Sequence, residues 1–87
     1  LTLLVDRAIF RRGGRRYAHL ISDRSLEELH EGARRLGLDH SFHRDHYDVP
    51  EERLPEVLAA GVRQVDPRVI VVALRHAGLR SRRRNGA

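Results

Sequence analysis

Leu26, Leu29, Ala33 and Leu36 recur at the three-to-four spacing that lines one face of a helix. Ser25 and Glu28 precede and open that stripe as an S-x-x-E capping box, which satisfies the free N–H groups of a first helical turn. Glu27, Glu28 and Glu31 fall early and Arg34 and Arg35 late, as the helix dipole favours. Gly37 supplies a left-handed stop, with Leu38 as the apolar contact behind it. Two apolar runs lie upstream. Residues 2–5 (Thr-Leu-Leu-Val) read as a buried strand ending at Asp6, and Tyr17 to Ile21 reads as a second, closed by Ser22 and Asp23. Between them Gly13-Gly14 marks a turn inside the basic knot Arg11-Arg12-Gly13-Gly14-Arg15-Arg16. The two runs could pair as a hairpin, or the second could simply lead into the helix.

Residues 39–49 break all periodicity and gather three histidines and three acids, which predicts a functional loop. Asp48 and Glu51 then match a D-x-x-E capping box ahead of a helix carrying Leu54, Val57 and Leu58. Pro55 either kinks that helix or marks its start. Val62 to Val65 reads as a short strand, and Asp66-Pro67 as an N-cap with the favoured first proline. The β-branched run from Val69 would also suit a strand, but the Asp-Pro start, the late Arg75 and His76 and the Gly78 stop favour a helix to Ala77. The fold class expected is therefore α/β. Residues 1–79 would form a single small domain, with a short sheet of about three strands covered by about three helices. Residues 80–87 would be a basic, disordered tail.

Four pieces of the chain also resemble a known family. They are Leu3-Leu4-Val5-Asp6; Tyr17-Ala18-His19-Leu20 with Ser22-Asp23; Glu28-Leu29-His30 with Arg35-Leu36-Gly37-Leu38; and His46-Tyr47-Asp48-Val49 followed by Ala60-Gly61. Their order is similar to a small bacterial and phage family catalogued as domain of unknown function four-zero-three-one. The resemblance runs over roughly residues 2–75, and its most specific parts are the aromatic-x-His-Leu and His-Tyr-Asp pieces. It implies the domain boundaries and a helical last segment, and no established activity. The chain departs from the family pattern at Arg7, where a second acid is common, at Tyr17, where Trp is common, and at Ser41-Phe42, where Trp-Phe is common.

Composition narrows the chemistry. Cysteine is absent, which excludes disulfides, thiol nucleophiles and thiolate metal sites. The longest apolar stretch, Val69 to Leu74, is far short of a bilayer span of roughly 18 residues. With no signal-like N-terminal pattern either, a cytoplasmic location with no membrane association is the expectation. All 17 basic residues are arginine, against 12 acids. Four of them, Arg80, Arg82, Arg83 and Arg84, crowd the tail, so the body is nearly neutral. Arginine forks bind phosphate well, making Arg11, Arg12, Arg15, Arg16, Arg82, Arg83 and Arg84 candidates for contact with nucleic acid or an acidic protein. No Walker loop, G-x-G-x-x-G or nucleophile elbow is present.

A second constellation is Asp6, His19, His46 and Asp48, with Asp23 as a further acid. Two imidazoles with carboxylates suit a divalent metal ion such as Zn²⁺, Mn²⁺ or Fe²⁺. A water of lowered pKa on such an ion would hydrolyse a phosphoester, nucleotide or amide. Each member also has a plain structural role open to it: Asp48 and Asp23 as caps, His19 as a core histidine. The metal motif lacks a specific spacing, so a binding or accessory module with an arginine-rich surface ranks first. A small metal-dependent hydrolase acting on a phosphoester or nucleic acid is the alternative. Substrate, metal, oligomeric state and strand order are not legible at this level.

Overall fold

Arg15–Ser22 forms the long central strand of the structure, with burial deepening from exposed arginines at its start to Ala18, Leu20, Ile21 and Ser22. The structure is a computed structural model and describes residues 3–80. In chain order its elements are β1 (Leu3–Val5), β2 (Phe10–Arg12), β3 (Arg15–Ser22), α1 (Leu26–Arg35), β4 (Phe42–His43), β5 (His46–Pro50), a 3₁₀ turn (Glu51–Arg53), α2 (Leu54–Ala59), β6 (Arg63–Gln64) and α3 (Pro67–His76). The strands make one mixed sheet in the order β4-β5-β3-β1-β6. β2 pairs with β3 beyond the end of β1: Phe10 faces Tyr17, while Val5 faces Leu20. β1 and β6 are parallel, and the other pairs are antiparallel.

Side-chain alternation divides the core into two layers. Val5, Ala18, Leu20, Tyr47 and Val49 pack under Leu29 and Ala33 of α1 and Val57 of α2. Leu4 and Ile21 face the other way, against Ile70 and Leu74 of α3. Leu20, Ile21, Leu29 and Leu74 are fully buried, and each contributes about 1.5–3 kcal/mol by leaving water. No helix among the described residues is long and apolar enough to cross a membrane.

The helix ends follow local chemistry. Ser25 Oγ accepts from the Glu28 N–H at 3.1 Å, and Asp66 Oδ1 accepts from the Arg68 N–H at 2.8 Å. At the end of α1, Gly37 takes φ 74°, and the Gly37 and Leu38 N–H groups bond back to the Arg34 and Ala33 carbonyls. That is a Schellman stop. Pro55 lies in the first turn of α2, so it starts the helix and does not kink it.

Three expectations are corrected. The sheet has six strands and not about three. β2 and β4 are only two or three residues long and wholly exposed, so no apolar pattern marks them, whereas β6 falls within the Val62 to Val65 run read as a strand. β5 lies inside the stretch read as a loop. Asp48 is also not a cap: it sits within β5, and the 3₁₀ turn starts after Pro50 with no side-chain cap.

Candidate metal centre

β5 turns alternate residues to opposite faces of the sheet. Tyr47 and Val49 enter the core beneath α1, while His46 and Asp48 point to the α3 side. His19 of β3 lies directly across from Asp48. In an antiparallel pair that register holds the two side chains about 5 Å apart at their bases. The apolar contacts of α3 lie at Leu4 and Ile21, and the three polar side chains sit beyond them.

His19, His46 and Asp48 can each offer one ligand atom, all within 4.8 Å of one another. A tetrahedral ion with bonds of about 2.1 Å spaces its ligands roughly 3.4 Å apart. His46 Nε2 and Asp48 Oδ1 already stand at 3.2 Å, so closing the set needs only a small movement of His19. His46 and Asp48 are buried, and the His19 side chain is 23% exposed. The ligand edge opens on a cleft of about 270 Å³ that Phe10, Arg12, Tyr17 and His43 also line.

Each candidate ligand is held from behind. Asp6 is fully buried, and its carboxylate accepts twice from one residue: the His19 backbone N–H at 2.6 Å and the His19 Nδ1 side at 2.9 Å. The first bond continues the β-ladder past the end of β1, beside the bond from the Asp6 N–H to the His19 carbonyl. The second directs His19 Nε2 away from Asp6 as the free ring nitrogen. Asp45 does the same for His46, with Oδ1 at 2.9 Å from Nδ1. Arg80 donates to both Asp45 oxygens, at 2.8 and 2.9 Å. Burial pushes the Asp45 carboxyl up, but the hydrogen bonds from Arg80 and His46 and their charges outweigh it and hold it below its ordinary value. Arg12 takes the outer oxygen of Asp48 and lies 5.5 Å from the Tyr17 ring centroid. Rings complete the packing: Phe10 on His19 at 4.1 Å, His19 on His46 at 4.7 Å and His43 beside His46 at 5.5 Å.

Three of the four residues expected to be ligands are thus brought together, with Asp6 behind them as the partner of His19. Asp23 is outside the cluster; its Oδ1 is buried without a hydrogen-bond partner among the described residues. His30 lies under the opposite face, 2.7 Å from the Tyr47 hydroxyl. Arg12 and Arg15 pair with Asp48 and Glu52, and Arg16 comes within 4.0 Å of Glu51. Arg11 alone of the hairpin arginines has no acidic partner among the described residues. Arg82, Arg83 and Arg84 lie outside the described residues. Sequence reasoning missed Asp45 and Arg80. Asp45 stands next to His46 in a stretch dense with titratable groups, which is a signal; Arg80 reads only as the first residue of a basic run.

No curated protein and no solved structure matches the chain. A family model described as protein of unknown function, DUF4031, matches residues 3–77, which is most of the 87 residues, and the chain belongs to that family.

Proposed function

We propose that His19, His46 and Asp48 bind a divalent transition-metal ion and that the domain is a small metal-dependent hydrolase of phosphoesters. One observation carries this reading. Both histidines are clamped at Nδ1 by a buried carboxylate, and His19, His46 and Asp48 each bring one ligand atom within 4.8 Å of the others at the edge of an open cleft. Carboxylate–histidine pairs of this kind fix the ring and tautomer that a metal needs. Two imidazoles and one carboxylate suit Zn²⁺, Mn²⁺ or Fe²⁺ and leave further coordination positions for water and substrate.

The ion would supply a water molecule whose pKa falls towards 7. Phosphoester hydrolysis by such a water would form one P–O bond and break the ester P–O bond, consuming one water and releasing a phosphate and an alcohol, with the proton lost by the water returned through solvent to the departing alkoxide. Asp48 presents one oxygen to the site while Arg12 holds the other, which favours single-oxygen coordination. With an ion balancing Asp48, the Arg12 guanidinium is placed to turn towards a phosphoryl oxygen.

Pairing of the hairpin arginines supports ranking the hydrolase ahead of the binding module. Arg12, Arg15 and Arg16 each face an acid of β5 or of the 3₁₀ turn, so much of the hairpin's positive charge is answered within the chain. A binding module would instead show salt-dependent affinity for nucleic acid or an acidic protein that His46→Ala leaves unchanged.

Thermal unfolding of chelator-treated protein with added Zn²⁺, Mn²⁺ or Mg²⁺ tests the proposal. At 100 times its Kd, an ion that binds only the folded state adds about 2.7 kcal/mol, a rise of several degrees in Tm. We expect that rise with Zn²⁺ or Mn²⁺ and its loss in His46→Ala. No shift with any ion, or a shift that His46→Ala retains, overturns the site.

A further inference from the structure

The metal cleft has a neighbour. Beside the Phe10 and His19 rings, which meet at a tilt of 55°, lies a second cleft of about 340 Å³. Its far wall is the first half of α3, where Pro67, Ile70 and Val71 offer an apolar surface, and Arg68 and Arg80 also line it. Phe10 and His19 border both clefts, so the two meet across that ring pair. Phe10 is 37% exposed although it is a large apolar side chain beside a polar site.

Resting on the hydrolase reading, we infer that the substrate is a nucleotide phosphoester bound astride Phe10 and His19. Its phosphate lies in the polar cleft, against the ligand edge and Arg12. Its base enters the apolar cleft between Phe10 and α3. The chemistry of the two clefts differs in the way a nucleotide's two ends differ. One end is anionic and needs cations; the other is a flat ring that stacks on an aromatic face and tolerates apolar walls. A volume of 340 Å³ is at the small end of ligand sites, which run from about 300 to 1,000 Å³. That size suits one base with its sugar and is too short for the acyl chains of a phospholipid. Arg68 pairs with Asp66, yet its side chain is 91% exposed and free to swing to a flanking phosphate.

The test uses the full chain loaded with the ion that raises its Tm. Two chromogenic diesters are compared: thymidine 5′-(p-nitrophenyl phosphate) and the deoxyribose analogue without a base. Both release p-nitrophenol by cleavage of the same P–O bond. The base is expected to raise kcat/KM by about tenfold, in the lower part of the range for base–aromatic stacking. Phe10→Leu removes the stacking ring and Val71→Trp fills the cleft. Each should bring that ratio towards one, and with Val71→Trp, which lies outside the metal centre, the metal-induced rise in Tm should persist. A short single-stranded oligonucleotide, cleaved in competition with the thymidine ester, shows whether the nucleotide is taken free or within a strand. Equal rates for the two esters, or a base advantage that survives Val71→Trp, overturn the inference and leave the metal site standing. Equilibrium binding of thymidine 5′-monophosphate reads the apolar cleft without turnover. Binding weakened about tenfold by Val71→Trp supports the cleft even where cleavage fails, and binding unchanged by it counts against the cleft.

Discussion

Asp6 is a fully buried acid whose two carboxylate oxygens both go to His19. An amide at that position could still accept from the backbone N–H. Its NH₂ would then face His19 Nδ1, drive the proton to Nε2 and block the nitrogen that faces the cleft. Asp6→Asn should therefore weaken metal binding about 10–100-fold, and Asp45→Asn should do the same through His46. Competition with a chelator of known affinity measures both. Unchanged affinity in the pair would reduce these acids to structural partners. At this scale much of the candidate site is legible in the sequence, because Asp6 closes an apolar run, His19 interrupts one, and His46 and Asp48 fall in the stretch densest in titratable groups. Their division into ligands and supports is not legible. It follows from strand register, which sets His19 opposite Asp48 and leaves Asp6 beside the His19 backbone.

Capped helices were the most legible elements. Ser25, Gly37 and Asp66-Pro67 announce their turns because each acts on backbone groups only a few residues away. β5 was illegible for the opposite reason. Of its residues facing the core, Tyr47 and Val49 look ordinary, but its other face carries His46 and Asp48, so the strand's alternation reads as a polar loop. Asp48 and Glu51 also imitate a capping box by spacing alone. α3 carries a pH dependence of known sign. Hydrogen bonds from the Arg68 side chain and backbone, followed by the charges of Arg68 and Arg7, hold the Asp66 carboxyl below its ordinary value. A depressed folded-state pKa gives stability that is present above the unfolded value and disappears as pH falls through the folded one. The Tm difference between the parent and Asp66→Asn should therefore be constant above about pH 5 and shrink as the solution is acidified further. A difference that stays flat into acid would show that the cap works without its charge.

The whole molecule is a sheet covered fully on one face and partly on the other. α1 and α2 close the first face, and α3 closes only the part of the second around Leu4 and Ile21. β3 is the longest strand, paired along both edges and buried from Ala18 to Ser22 apart from His19, whereas β4 and β6 are exposed end strands. Amide hydrogen exchange should thus be slowest at Ala18, Leu20 and Ile21, and at least about 100-fold faster in β4 and β6. Equal protection at Arg63 or Gln64 would mean that the β6 edge opens only with the core. The chain's α/β class and its three helices were readable from apolar spacing. The strand count was not, since β2 and β4 are short exposed strands that exist only through the partners they pair with, and β5 reads as a polar loop.

The alternation of β5 carries a consequence for how this domain can vary. His46, Tyr47, Asp48 and Val49 serve the cleft and the core in turn, so the two are locked to the parity of one strand. Losing or gaining one residue within β5 would break that parity, sending candidate ligands towards the apolar layer or core residues out to the cleft. The Gly13-Gly14 turn is bound in another way: both residues take positive φ, 60° and 80°, so side chains are strained there although the space around them is open. Descendants of this chain can thus change length within β5 only in steps of two, while the tip of the arginine hairpin is held by its backbone conformation and not by what packs on it.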